Sequence, residues 1–139
     1  MKFLQLNFIP RSADLALLVL RVWLGLTMLI NHGFVKLMAF DKLSTIFPDP
    51  IGLGQKASLT LAIAGEIVGS ILLVLGLWTR FGALVLMIVM SVAFFITHGM
   101  ALSGPKSGEP AFLFLAGFVV LFLAGGGRFA LDRKLGGGA

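Results

Sequence analysis

The sequence predicts an all-α fold, a four-helix transmembrane bundle, and three observations carry that prediction. The first is composition: 58% of residues are apolar and 12% are charged, about half the charged share of a water-soluble domain. The second is the grouping of apolar residues into four runs of roughly the length, about 20 residues at 1.5 Å each, that crosses a hydrocarbon core. The third is the placing of charge. Arg21 and Glu66 fall inside runs that are otherwise apolar, where a charge is expensive and usually faces a partner or a working site.

At 139 residues a single integral membrane domain is expected over residues 1–139. The opening stretch, Met1 to Pro10, is apolar but broken by Gln5 and Asn7, and no small-x-small cleavage site follows. It is expected to lie in the interface, with Phe3, Leu4, Phe8 and Ile9 among the headgroups, and not to act as a signal peptide. The first span is predicted at about 14–34, with Ser12 or Asp14 as N-cap. The loop Asp41–Ala57 carries turn signals at Phe47-Pro-Asp-Pro-Ile51 and Gly52-Leu-Gly54 and is expected to cover part of the membrane surface. The second span, about 58–78, and the third, about 81–98, form a tight hairpin through Gly76–Gly82. After a linker containing Gly104-Pro105, the fourth span runs over about 110–126, from Pro110 to the Gly125-Gly126-Gly127 stop. The glycine tail, Gly136–Ala139, is expected to be disordered.

Eleven Lys/Arg against six Asp/Glu give a formal charge of +5. The basic residues are scattered singly, which argues against nucleic acid as a partner and for interfacial anchors. The chain has no cysteine, so disulfides, thiolate metal sites, iron–sulfur clusters and thiol relays are excluded. With four spans, Lys2, Arg11, Arg80, Arg128, Arg133 and Lys134 share one side, and Lys36, Lys42, Lys56 and Lys106 the other. The positive-inside rule then places both termini in the cytoplasm.

Depth groups the ionisable residues. Counting 1.5 Å per residue, Arg21 falls about 10 Å into the membrane and Glu66 roughly 18 Å, so a buried ion pair between them is expected, either as a lock between helices or as a working pair. His32 shares a helix face with Arg21, and Lys36 stands one turn beyond it. His98 ends the third span and Glu109 opens the fourth. His32, Lys36, His98 and Glu109 are therefore the candidates for one outward-opening pocket that binds a ligand or transfers protons, covered partly by Phe47–Leu53, with Arg21 and Glu66 at its floor. Plainer readings stand beside this one: helix-end polarity for His98 and Glu109, a snorkelling anchor for Lys36, a hairpin anchor for Arg80. Gly65-x-x-x-Gly69 allows close helix approach. A bis-histidine haem, or a metal held by the histidines with Glu66 or Glu109, is set aside because both histidines fall near water. No metal or resident cofactor is evident.

Leu20-Arg-Val-Trp-Leu-Gly25, Asn31-His-Gly-Phe-Val-Lys-Leu37, Glu66 with Leu72-Leu-Val-Leu-Gly-Leu-Trp-Thr-Arg80, Ala93–His98 and Ala130-Leu-Asp132 occur in this order. As a set they resemble the DoxX family over about Asp14 to Asp132. The resemblance implies an inner-membrane four-helix protein, often described as an oxidoreductase subunit, found near redox partners and named from a quinone-linked respiratory complex. The leading expectation is thus a quinone-associated membrane redox protein or subunit. Its partners are the lipid bilayer and other membrane or redox proteins, with homo-oligomerisation and enzymatic activity of its own left open. A quinone needs an apolar slot, donors for its carbonyls and proton sources on reduction. Two alternatives are a non-catalytic scaffold subunit of a larger complex and a small-solute or proton pathway, the latter opposed by how little four spans can enclose.

Overall fold

The structure, a computed structural model, describes residues 4–6 and 8–136. Phe3 of the expected interfacial segment and residues 137–139 of the tail lie outside the described residues. Every regular element among the described residues is helical. Helices α1 (Ala13–Met38), α2 (Gln55–Leu75) and α3 (Thr79–Thr97) are long and apolar enough to cross a membrane. Helix α4 (Glu109–Ala124) is equally apolar but has 16 residues, about 24 Å of rise, against a hydrocarbon core of about 30 Å. Single helical turns occur at Phe40–Leu43 and Leu131–Lys134.

The helix limits have local causes. Ser12 caps α1, its hydroxyl accepting the Leu15 amide at 3.1 Å. The helix then runs four residues past the expected end, because residues Leu29–Phe34 widen into a π-helical turn instead of breaking. Helix α2 stops at Leu75, short of the expected 78, where Gly76 takes a left-handed conformation with φ +69°. A Cβ at Gly76 would stand 2.9 Å from the Arg21 guanidinium carbon and 2.7 Å from Ala130 Cα, so both backbone freedom and absence of a side chain are required there. Trp78 follows at φ +45°, an uncommon conformation for a bulky residue, and the chain enters α3.

The helices pack in sequence, α1 on α2, α2 on α3 and α3 on α4, and α4 returns to α1. Met28, Leu73, Leu86, Phe94 and Phe118 form the centre. The two glycines of the Gly65-x-x-x-Gly69 motif face α3: a Cβ on Gly65 would press on Val89, and one on Gly69 on Leu86. The polarity of the molecule is inverted relative to a soluble protein. Leu15, Val19, Trp23, Leu26 and Ile30 form an outward apolar stripe on α1, whereas Arg21, Ser58, Glu66, Ser70 and Thr79 are buried. An apolar surface this continuous is stable only against lipid.

Contacts at both ends of the bundle hold the connections. The Asp49 carboxylate accepts the Leu53 and Gly54 amides and the Ser58 hydroxyl, at 2.9, 3.0 and 2.9 Å, tying the long loop to the start of α2. The Ser58 hydroxyl, and after it the Gly54 amide, hold the exposed Asp49 carboxyl below the usual carboxylate range. Within this loop Ile51 and Leu53 point outward. At the opposite end Gly126 touches both Thr79 and Ala130: a Cβ there would meet Thr79 Oγ1 at 2.6 Å and Ala130 Cβ at 2.5 Å. Gly126→Ala is therefore expected to lower stability by about 1–3 kcal/mol, the usual cost of overpacking, read as a lower melting temperature in detergent.

Candidate functional site

The buried charges form two separate clusters, one around Arg21 where α2 ends and one around Glu66 midway along α2. The ion pair expected between Arg21 and Glu66 does not form. The Arg21 guanidinium instead donates through Nη1 to the Leu73 and Val74 carbonyls at 2.8 and 2.7 Å, and through Nη2 to the Phe129 carbonyl at 3.1 Å. The physical reason is that α2 ends beside it. The last carbonyls of any helix lack intrahelical partners and carry the negative end of the helix dipole, so both terminal nitrogens of the guanidinium find acceptors without an ion pair, while Nε is buried with no partner among the described residues. Glu66 stands seven residues above Leu73, about 10 Å along the axis, beyond reach.

Asp132, the last residue of the Ala130-Leu-Asp132 motif, completes this end. Its two carboxylate oxygens accept the amides of Trp78 and Thr79 at 2.5 and 2.9 Å, and its own amide donates to the Gly76 carbonyl at 2.9 Å. An anion thus caps the positive end of α3 while a cation caps the negative end of α2. Asp14 accepts the Arg128 amide at 2.8 Å. Arg80 donates Nε to the Phe122 carbonyl at 2.8 Å and lies over the Phe122 ring, joining α3 to α4. An N-cap contributed from more than fifty residues away leaves no local sequence signature, so Asp132 carries no sign of this role in the sequence around α3.

The second cluster is built on Lys36 and Glu66. Lys36 Nζ lies 2.5 Å from Glu66 Oε1, with side chains 22% and 2% exposed. Gly33 makes this possible. It is buried against α2, where a Cβ would stand 2.8 Å from Ile67 Cγ1 and 3.6 Å from Glu66 Cβ, so α1 and α2 approach closely one turn from Lys36. The other carboxylate oxygen, Glu66 Oε2, is buried without a hydrogen-bond partner among the described residues, as is the Ser70 hydroxyl one turn along α2. His32, in the π-helical turn, precedes Lys36 by four residues and packs its ring edge-on against Phe114 of α4 at 5.4 Å, and Phe114 stacks on Phe118 at 5.8 Å. π-helical turns of this kind concentrate at functional sites.

The four-residue pocket expected from sequence is thus divided. Lys36 and His32 share a helix face beside Glu66, so Glu66 belongs to this group in place of its expected pairing with Arg21. His98 is turned to its own loop, its Nδ1 lying 2.9 Å from the Lys106 carbonyl, because a second π-helical turn at Val92–Thr97 ends α3 there. Glu109 is exposed at the start of α4, where its amide donates to the Ser107 hydroxyl oxygen at 3.2 Å. Chemically, the inner group offers an ammonium donor, a carboxylate with one open oxygen and an imidazole, set among aromatic rings.

A chain whose described elements are all helical, with an apolar exterior, three membrane-length helices and two charges buried within its spans, is an integral membrane protein. The DoxX family model matches residues 16–99, and the chain belongs to the DoxX family. It is 37% identical over 114 residues to an uncharacterized protein of Haemophilus influenzae, an alignment covering 77% of this chain and 81% of that protein. No solved structure matches the chain.

Proposed function

We propose that the protein is a quinone-associated redox subunit of the inner membrane and that Lys36, Glu66 and His32 receive the ligand's polar headgroup. The observation that supports this most is Glu66: nearly fully buried, held on one oxygen by Lys36 and open on the other. Reduction of a quinone takes up two electrons and two protons. Lys36 can donate a hydrogen bond to a ligand carbonyl, the Lys36–Glu66 pair can pass a proton to it, and His32 can relay a second from the outer side. The electrons come from a partner protein, since none of these side chains carries them. The Phe114 ring beside His32, backed by the buried Phe118, provides an apolar wall for the ligand.

On this reading all four helices cross the bilayer as a bundle, the shorter α4 being accommodated by local thinning or by snorkelling of its flanks. The basic residues at the Arg80 end face the cytoplasm. Cysteine introduced as Ser44→Cys, in a chain with none of its own, is expected to react with an impermeant maleimide in spheroplasts with intact membranes. Reaction only after lysis would reverse the orientation. For the ligand, a quinone analogue is expected to raise the melting temperature of the purified protein saturably. His32→Ala is expected to weaken binding by about 1–3 kcal/mol, the loss for one buried hydrogen-bond partner. A parent protein that does not respond to the analogue, or a His32→Ala variant of full affinity, would refute the assignment and favour the scaffold reading.

A further inference from the structure

At the end opposite Lys36 and Glu66 the molecule has an open cleft of about 1070 Å³ between α3, α4 and the segment after α4. We propose that this cleft binds the phosphate of an anionic phospholipid. The inference is independent of the quinone reading and uses none of its residues.

Three arginines line the cleft: Arg80, Arg128 and Arg133. Arg80 has committed only its Nε, to the Phe122 carbonyl. The Arg128 guanidinium rests over the Phe129 ring, 4.9 Å from its centre. Among the described residues neither the Arg128 nor the Arg133 side chain donates a hydrogen bond, and both residues are exposed. Two carboxylates also line the cleft, Asp14 and Asp132, but among the described residues neither forms an ion pair with any of the three arginines, which leave the cleft net positive. Both oxygens of Asp132 are turned to the Trp78 and Thr79 amides, and Oδ1 of Asp14 to the Arg128 amide. Planar donors without acceptors, at the edge of an apolar body, suit a phosphate.

A second feature is independent of the surface charge. Thr79 is 0% exposed and its hydroxyl has no partner among the described residues. It lies behind Gly126, which contributes no side chain to cover it, so an unused donor stands directly under the cleft floor. Buried hydroxyls rarely go unpaired without a reason.

The remaining walls select the source of the phosphate. Trp78, Phe81 and Leu123 line the same cleft, and each is more than half exposed on the lipid-facing exterior. The site therefore joins a cationic floor to an apolar rim, and a free phosphate would leave that rim unused. Basic pockets between membrane helices on the cytoplasmic side characteristically hold anionic headgroups, with an indole at the boundary.

The test uses the purified full chain in neutral detergent, with phosphatidylglycerol, phosphatidylcholine and inorganic phosphate as separate additions and melting temperature as readout. Phosphatidylglycerol is expected to stabilise the parent saturably, and phosphatidylcholine is not. The Arg128→Gln/Arg133→Gln double variant, which alters exposed side chains, is expected to bind phosphatidylglycerol about thirtyfold more weakly, as the loss of two basic groups near an anionic lipid implies. Lys56→Gln/Lys106→Gln removes the same charge at the far end and is expected to bind like the parent. Equal stabilisation by both lipids, or an unchanged affinity in the arginine variant, would overturn the proposal. Stabilisation by inorganic phosphate equal to that by phosphatidylglycerol would overturn its assignment to a lipid.

Discussion

Arg21→Ala is expected to cost about 4 kcal/mol, one of the two largest effects of a single substitution in the chain. Three charge-assisted hydrogen bonds are lost, each contributing about 1.5–3 kcal/mol, and part of the sum is offset because a buried guanidinium no longer has to be desolvated. The carbonyls of Leu73, Val74 and Phe129 are left without the donor that now satisfies them. Arg21→Lys is expected to recover only part of the loss, since one ammonium on a flexible stem cannot replace a planar fork bound to carbonyls of two segments. Unfolding in mixed micelles measures both. If Arg21→Ala unfolds with the parent, the clamp contributes nothing to stability.

The second large effect is an asymmetry at the other cluster. Lys36→Ala strands a carboxylate that is 2% exposed, and stripping one partner from a buried pair typically costs about 3–5 kcal/mol. Glu66→Gln leaves an ammonium whose side chain is already 22% exposed and can swing toward the headgroups, so a loss of about 1 kcal/mol is expected, the value of one ordinary hydrogen bond. Equal losses in the two variants would show that the lysine is as confined as the glutamate. A loss below 1 kcal/mol in Lys36→Ala would show that Glu66 finds water or another donor.

The helices were legible in the sequence because hydropathy over twenty residues reports lipid exposure directly, and Ser12, Pro110 and Gly125 mark real helix ends. That Arg21 and Glu66 were costly was equally plain. Their partners were not. Charge invites pairing with opposite charge, whereas Arg21 is satisfied by the end of a helix, a partner made of backbone. Gly76 was the available signal, since a glycine at that point ends α2 at the depth of Arg21. Lys36 was placed at the outer surface because α1 was expected to end at residue 34. The π-helical turn that carries it on to Met38, and the approach that Gly33 permits, depend on packing between helices and leave no periodic trace in one of them. His98 and Glu109 were grouped by depth alone, and depth does not determine which way a side chain turns.

The knot around Gly76 also dictates an order of manufacture. Arg21 emerges from the ribosome early, yet one of its acceptors is the Phe129 carbonyl, and the amides that begin α3 wait for the Asp132 carboxylate. A nascent chain that has released α1, α2 and α3 into the bilayer thus holds an incompletely satisfied guanidinium and an uncapped helix start. Only when residues 129–132 leave the exit tunnel can both be sealed in one event. A product truncated within α4 would lack the Phe129 carbonyl and the Asp132 carboxylate, and so would leave Arg21 one acceptor short and the start of α3 uncapped.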